Sequence, residues 1–490
     1  MTDRMLPRKI GPRALAALLC LLFLGLTLSG CLSAKKVSDR ELICVVPAGA
    51  EDISLLSFFL NLRQPAGPHL NLEITAIEIA SRGMWLPITL GTKVLDTEKI
   101  GAGQVALGQT TLEPGVYEKI RLTLSPEASI TVAGKRADLR LAESQVEIPF
   151  GEPVNLGNGA SESFFLDWDV EASLDGPASL VSPVIDLRGV RVSPITANRI
   201  YVSCPDINTI YSVRADKRWV DRSFYVPGRP TYIAMDNARQ RLYVLCREDA
   251  DIKVIDLVTS VITDVINLPM TFEPVFMRID DDLSHAFIID DHGAVSKVDL
   301  QSGNIVARKE TGQKTSYIEH LPASRSVAVS SDRDSRVYLL DDDTLEVKGE
   351  IAISGKPAGL LAKEDYLYIA EEQADMVTIY DTRQRVKLKS MFVGNGPRRL
   401  IDQDNNIYAA NSRSGTLSLL RTTNLRVVKE IPLGNEIYEM ASSGKEQLIY
   451  IGKKVKEDCG GSLSILDVTS SSIIGEIELG SRPLGIVVGQ

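Results

Sequence analysis

Histidine is nearly absent from this 490-residue chain, at four residues, and cysteine contributes only six. No two cysteines form a Cys-x-x-Cys pair, which excludes a zinc ribbon, a thioredoxin motif and covalently attached haem. His69, His285, His292 and His320 form no His-Glu-x-x-His signature and no second metal-ligand spacing, and no Gly-x-Ser-x-Gly elbow occurs. Aromatic residues make up 6%, too few for a base-stacking surface. Positive charge is short as well, with 54 Lys and Arg against 64 Asp and Glu. The first thirty residues hold four of those bases and one of the acids, so the remainder is more acidic still. Such a surface repels phosphate backbones, and nucleic acid is excluded as a partner. What is left is 44% apolar, near the globular average of about 45–50%, and long enough for two or three domains of roughly 100–200 residues.

The chain begins with an address. Arg4, Arg8, Lys9 and Arg13 face Asp3 alone, and residues 14–28 carry no charge. A basic start before so short an apolar run fits a signal peptide, since a spanning helix needs about 20 residues. The run ends in Leu28-Ser29-Gly30-Cys31, which resembles the bacterial lipobox. The resemblance implies cleavage before Cys31, a diacylglycerol on its sulfur and an acylated amine. Two or three acyl chains hold a protein stably on a membrane, at roughly 0.8 kcal/mol per buried CH₂. Leu32 stands where an inner-membrane retention Asp would be, so the outer membrane or cell surface is the expected location. Residues 1–30 are thus read as the signal and 31–40 as a lipidated tether.

From residue 191 to 490 one phrase recurs seven times. Tyr201, Tyr243, Phe287, Val327, Tyr368, Tyr408 and Tyr450 mark it, at intervals of 40–44 residues. Between them the pattern alternates with period 2, as in Asp251-Ile-Lys-Val-Ile-Asp256, so helical repeats are excluded. Four short strands in about 40–45 residues is the mark of a β-propeller blade. A Gly-x-Pro or x-Pro cluster opens most inner strands, as at Pro230, Pro274, Pro357, Pro397 and Pro483. The first copy lacks an inner strand, while the chain ends on an orphan one, Arg482 to Val488, so the last strand is expected to close a seven-bladed ring. The phrase resembles the YVTN-type β-propeller family, which includes extracytoplasmic binding propellers. Its Asn survives only at Asn411, and no Trp-Asp dipeptide closes a strand.

Residues 41–190 show no such repeat. Leu70, Leu72 and Ile74 alternate with Asn71, Glu73 and Thr75, and Ile120, Leu122 and Leu124 behave alike, which predicts a β-sandwich. Three stretches, residues 77–86 with Trp85, residues 112–122, and Phe165-Leu-Asp-Trp-Asp169 with Ser173, resemble a domain of unknown function found in bacterial lipoproteins. That resemblance implies a location and no activity. The expected class is all-β, a sandwich followed by a seven-bladed propeller, joined near Pro194.

No catalytic constellation, metal site or cofactor is expected. The acidic triplets at Asp280 and Asp341 fall where hairpins must turn, and turns explain them. Cys204 and Cys459 are a candidate disulfide pair across the closure, with free buried thiols as the alternative. The best candidate surface is the channel mouth, where inner strands begin. Arg229, Glu273, Lys356, Arg398, Glu436 and Arg482 are placed there, with Glu319, Arg399 and Glu439 deeper. These residues point to a non-catalytic binding or protein-interaction scaffold with an envelope protein as partner. The alternatives are a metal-dependent hydrolase, lactonase or lyase in the channel, and cell-wall or carbohydrate binding.

Overall fold

The computed structural model describes residues 53–101, 103–132, 134–157, 159–175, 179–188, 199–311, 314–434, 436–455 and 460–489. Among them no helix is long and apolar enough to cross a membrane. Cys31 and Cys459 lie outside these residues.

The N-terminal strands form one eleven-stranded sheet. Met84–Leu90 is the hinge between its halves. One edge pairs with His69–Ser81 over five residues, and the other touches Gln104–Leu112 only through Thr89 and Leu90. The two faces expected of a sandwich are therefore two halves of a single curled sheet around one core. Leu70, Leu72, Ile74, Ile120, Leu122 and Leu124 all enter that core, as their alternation predicts. Trp168 is fully buried, and its indole N–H donates to Ser173 Oγ at 3.1 Å. Ser54–Leu62, Ser-Leu-Leu-Ser-Phe-Phe-Leu-Asn-Leu, is buried along its whole length. One of its faces meets the sheet's own core through Leu56, Phe58 and Leu60, and Phe59 on the other joins a propeller cluster. Burial on both faces is why this strand is a continuous apolar run instead of an alternating one.

Residues 199–489 form seven four-stranded antiparallel sheets. Six use consecutive strands. In the remaining one, Gly485–Val488 pairs with Arg199–Cys204, from Ile200↔Val488 to Ser203↔Gly485. In six blades the register slips just after the inner strand begins, as between Pro230 and Tyr232, between Pro274 and Phe276, and between Pro397 and Arg399. Each slip is a bulge that re-aims the side chain facing the axis. The shared register also moves one repeat marker. Tyr243 pairs with Ala234, two residues past Tyr232, and the equivalent in the fourth blade is Ala328 opposite Glu319. Val327 is thus one residue early, because that blade has no aromatic to anchor the alignment.

The acidic triplets are turns. Asp280 accepts from the Ser284 and His285 amides, and Asp341 from those of Asp343 and Thr344. The sheet and the propeller are bonded directly. The Gln104 side chain accepts from Val220 N at 2.8 Å and donates to Val220 O at 3.3 Å. Tyr211 donates to Gln109 at 2.7 Å, Ser163 and Ser223 hydroxyls meet at 2.7 Å, and Phe59 packs edge-on to Tyr211.

Candidate functional site: the propeller mouth

Each inner strand delivers one residue to the rim and, three positions later, one to the axis. The rim positions are Arg229, Glu273, Lys314, Lys356, Gly396, Glu436 and Arg482. Several are fixed through their carbonyls by an amide at or just past the end of the blade's second strand. Arg247 N donates to Arg229 O, Asp332 N to Lys314 O, Glu372 N to Lys356 O, and Lys454 N to Glu436 O. Arg229 and Glu273 take left-handed φ values of 62° and 47° immediately before proline. That strained geometry is held by the surrounding bonds, including Arg229 N to Asn208 Oδ1 at 2.9 Å.

The axial ring is Tyr232, Phe276, Tyr317, Gly359, Arg399, Glu439 and Gly485. The three aromatics come from consecutive blades and pack closely on one another, tilted by 41° and 39°, with centroids 3.9 and 4.0 Å apart. Arg399 lies 4.8 Å from the Tyr317 ring and donates to Glu439 at 2.9 Å. The glycines answer to crowding: a Cβ at Gly359 would sit 2.4 Å from Arg398 O, and one at Gly485 2.8 Å from Thr231 O. One layer further in, Arg278 meets Glu319 at 3.0 Å. Burial pushes the Glu319 carboxyl up to about 7, outweighing Arg278, and raises Glu439 against the pull of Arg399. These rings and ion pairs form a floor across the channel.

Above that floor is a funnel of about 430 Å³. Arg229, Lys356, Arg398 and Arg482 converge in its wall, joined by Arg247 and Lys314, with Asp291, Asp332 and Glu372 interspersed. Lys356 stands 3.1 Å from both Asp332 and Glu372. Arg482 and Arg229 share Asp206, at 3.0 and 3.7 Å. The other expected residues lie elsewhere. Glu436 lines an adjoining cleft of about 530 Å³ that shares Arg398 and Glu372 with the funnel. Glu273 is exposed and paired with Arg247, outside the lining. Glu319 is buried two residues beyond Tyr317 and does not reach the mouth.

Sequence reasoning missed Lys314 because Thr315 replaces the proline that marks its neighbours. It also missed Arg247, Asp291, Asp332 and Glu372, each the residue directly after a blade's second strand. That position, one past the repeat's Asn site, was readable in the other copies, while in the fourth the one-residue slip of the alignment pointed to Ser331 instead of Asp332.

Cys204 is a buried thiol whose pKa burial raises, and Cys246 is likewise buried and free. The carboxylates of Asp341, Asp342 and Asp343 approach within 4.8 Å of one another. They are committed to their own turn and to cations, with Lys348 3.0 Å from Asp341 and Lys297 3.2 Å from Asp343. A groove of about 760 Å³ on the N-terminal sheet is polar, with Asn71, Glu73, Asp138 and Arg140 among its lining, and offers no aromatic ring to a sugar face.

Residues 65–179 match a family model described as a domain of unknown function, DUF4382. No curated protein matches the chain. Among solved structures, a functionally unknown protein from Desulfotomaculum acetoxidans DSM 771 is similar at a TM-score of 0.54 and 13% identity, covering 60% of this chain and 99% of that one. Dihydro-heme d1 dehydrogenase NirN, in complex with DHE, gives 0.47 and 12%, covering 61% and 76%. The computationally designed Ika8 protein gives 0.47 and 11%, covering 60% and 91%. At such identities the likeness is one of fold. The chain thus joins a segment matching DUF4382 to a seven-bladed propeller.

Proposed function

We propose that this is an exported, lipid-anchored envelope protein that works as a non-catalytic binding scaffold, with the propeller mouth as its recognition surface. The observation that carries the reading is that the axial acids beneath the mouth are already held by arginine. A metal-dependent hydrolase on the axis needs carboxylates free to ligate or to move protons. Glu319 and Glu439 are instead tied to Arg278 and Arg399. Rigid walls bonded blade to blade suit recognition, which benefits from a preformed surface. Export and anchoring rest on the basic leader, the short apolar run and Cys31.

The test is in-cell crosslinking and pull-down of the tagged full-length protein, beside Cys31→Ala and a Lys356→Glu/Arg398→Glu double variant. The expected result is a reproducible envelope partner lost from both variants. A partner kept by the double variant removes the mouth as the surface. Stoichiometric, tightly bound divalent metal in the purified protein would replace the scaffold with the hydrolase, lactonase or lyase reading. Specific binding on a glycan array would replace it with the cell-wall reading.

A further inference from the structure

We infer that the funnel binds a small organic polyanion, a compound carrying two or more carboxylate or phosphate groups. This rests on the mouth being the recognition surface and names what it recognises.

The sign of the lining is the first ground. Arg229, Arg247, Lys314, Lys356, Arg398 and Arg482 line the funnel against Asp291, Asp332 and Glu372, in a chain where acids outnumber bases. Asp206 and Glu248, which hold Arg229, are not part of that lining. Cations thus face the cavity while much of their counter-charge lies behind them, which concentrates positive potential inside a concave site.

The second ground is unused donor capacity. Arg398 is exposed, and its side chain makes no hydrogen bond or ion pair among the described residues. Arg482 and Arg229 share Asp206, Arg229 reaching it and Glu248 only at 3.7 Å, and Arg482 Nε is buried without a hydrogen-bond partner. A guanidinium offers five N–H donors in a planar fork suited to carboxylate and phosphate oxygens. Two groups of unsaturated donors therefore stand in one cavity, Arg398 from the sixth blade and the Arg229–Arg482 pair from the second blade and the closing strand. The lining acids are less available: Lys356 holds Asp332 and Glu372, and Lys314 holds Asp291 at 3.2 Å.

The third ground is shape. About 430 Å³ lies within the range of small-ligand pockets. Tyr232 and Phe276 line the cavity together with the basic side chains, which gives the body of a small ligand an aromatic surface to rest on.

Titration calorimetry on purified full-length protein at low salt tests this, with citrate and inorganic pyrophosphate as probes and acetate as the single-charge control. The expected result is one-to-one binding of citrate, pyrophosphate or both, weakening as salt rises, with acetate inert. Which probe binds separates a carboxylate ligand from a phosphate one. Arg398→Gln should weaken binding about tenfold or more, as expected for losing a charge-assisted contact. Arg421→Gln, which removes the same charge from the third strand of the sixth blade, should leave it unchanged. If Arg398→Gln does not fold, Arg229→Gln takes its place with the same expectation. Absence of binding by both probes at millimolar concentration overturns the inference, as does equal binding by the funnel variant and the wild type. If the probes fail while the crosslinked partner still depends on Lys356 and Arg398, the scaffold reading stands and the polyanion falls.

Discussion

Removing residues 481–490 takes away the strand that closes the ring. Ile486 is buried in the cluster that contains Val202, Tyr211 and Ile477, Val488 packs against that same cluster, and Val487 packs against a second one with Tyr201 and Ile233. Burying the isoleucine contributes about 2 kcal/mol and the two half-buried valines about 1 kcal/mol each. The backbone bonds along the Ile200↔Val488 to Ser203↔Gly485 register, with those of the Leu484 and Gly489 amides, add about 1 kcal/mol each net. Together these reach the order of 8 kcal/mol, comparable to the whole stability of an ordinary domain at about 5–15 kcal/mol. Deletion also leaves Arg199–Cys204 as an unpaired edge inside the ring, a template for aggregation. The truncated protein should therefore lack a cooperative unfolding transition. Urea unfolding followed by tryptophan fluorescence reads this, because Trp219 lies on the outer strand of that same blade. Ile486→Ala is the graded control, expected to cost about 2–5 kcal/mol while keeping a single transition. A truncated chain that unfolds cooperatively, with a midpoint within about 0.5 M urea of wild type, refutes the reasoning.

Three further outcomes are expected. Cys31→Ala should move the protein from the membrane to the soluble fraction after signal cleavage, and retention on the membrane would overturn the anchor. Glu319 is held neutral up to about 7 by burial, against an ordinary value near 4.5. The stability tied to its protonated form is complete below about pH 4.5 and is lost as pH rises through 7. Glu319→Gln should thus gain on wild type by up to about 3 kcal/mol between pH 5 and 8, and a constant difference between the two proteins would refute this. Gln104→Ala leaves both backbone groups of Val220 without their partner in a buried junction, at a cost of about 1–3 kcal/mol in urea. A change below about 0.5 kcal/mol would show the junction to be dispensable.

The repeat was legible because an aromatic stands at the same register position in six blades, and it slipped by one residue where Ala328 takes that place. Proline did similar service at the rim. Pro230, Pro357, Pro397 and Pro483 located Arg229, Lys356, Arg398 and Arg482, whereas Thr315 hid Lys314. Glu319, expected deeper than the rim, shares its strand face with Tyr317, as a period of two requires, and Tyr317 lies between it and the mouth. In the N-terminal domain, alternation told which residues point inward and could not tell which strands pair. One continuous sheet and two packed layers need the same inward residues, and the difference rests on Thr89 and Leu90 of the Met84–Leu90 bridge.

Pro194 and its neighbours, read as the linker, lie outside the described residues, and the contacts on either side of them place the N-terminal sheet against the blade that the last strand must close. Phe59 and Ala106 enter the same cluster as Ile200, Val202 and Ile486, so one apolar core contains residues from the sheet, from the first propeller strand and from the closing strand. Ring closure joins the two ends of the domain at the largest separation in sequence and so carries the highest loop-closure entropy of its strand pairings. Here the sheet packs on that joint and shields it from solvent. The same packing fixes the funnel relative to the sheet, because Arg482 and Leu484 in the funnel wall directly precede the strand that the sheet supports. A ligand entering the mouth therefore meets a surface held from below by the axial floor and from the side by the N-terminal domain, and the energy of binding need not be spent on ordering it.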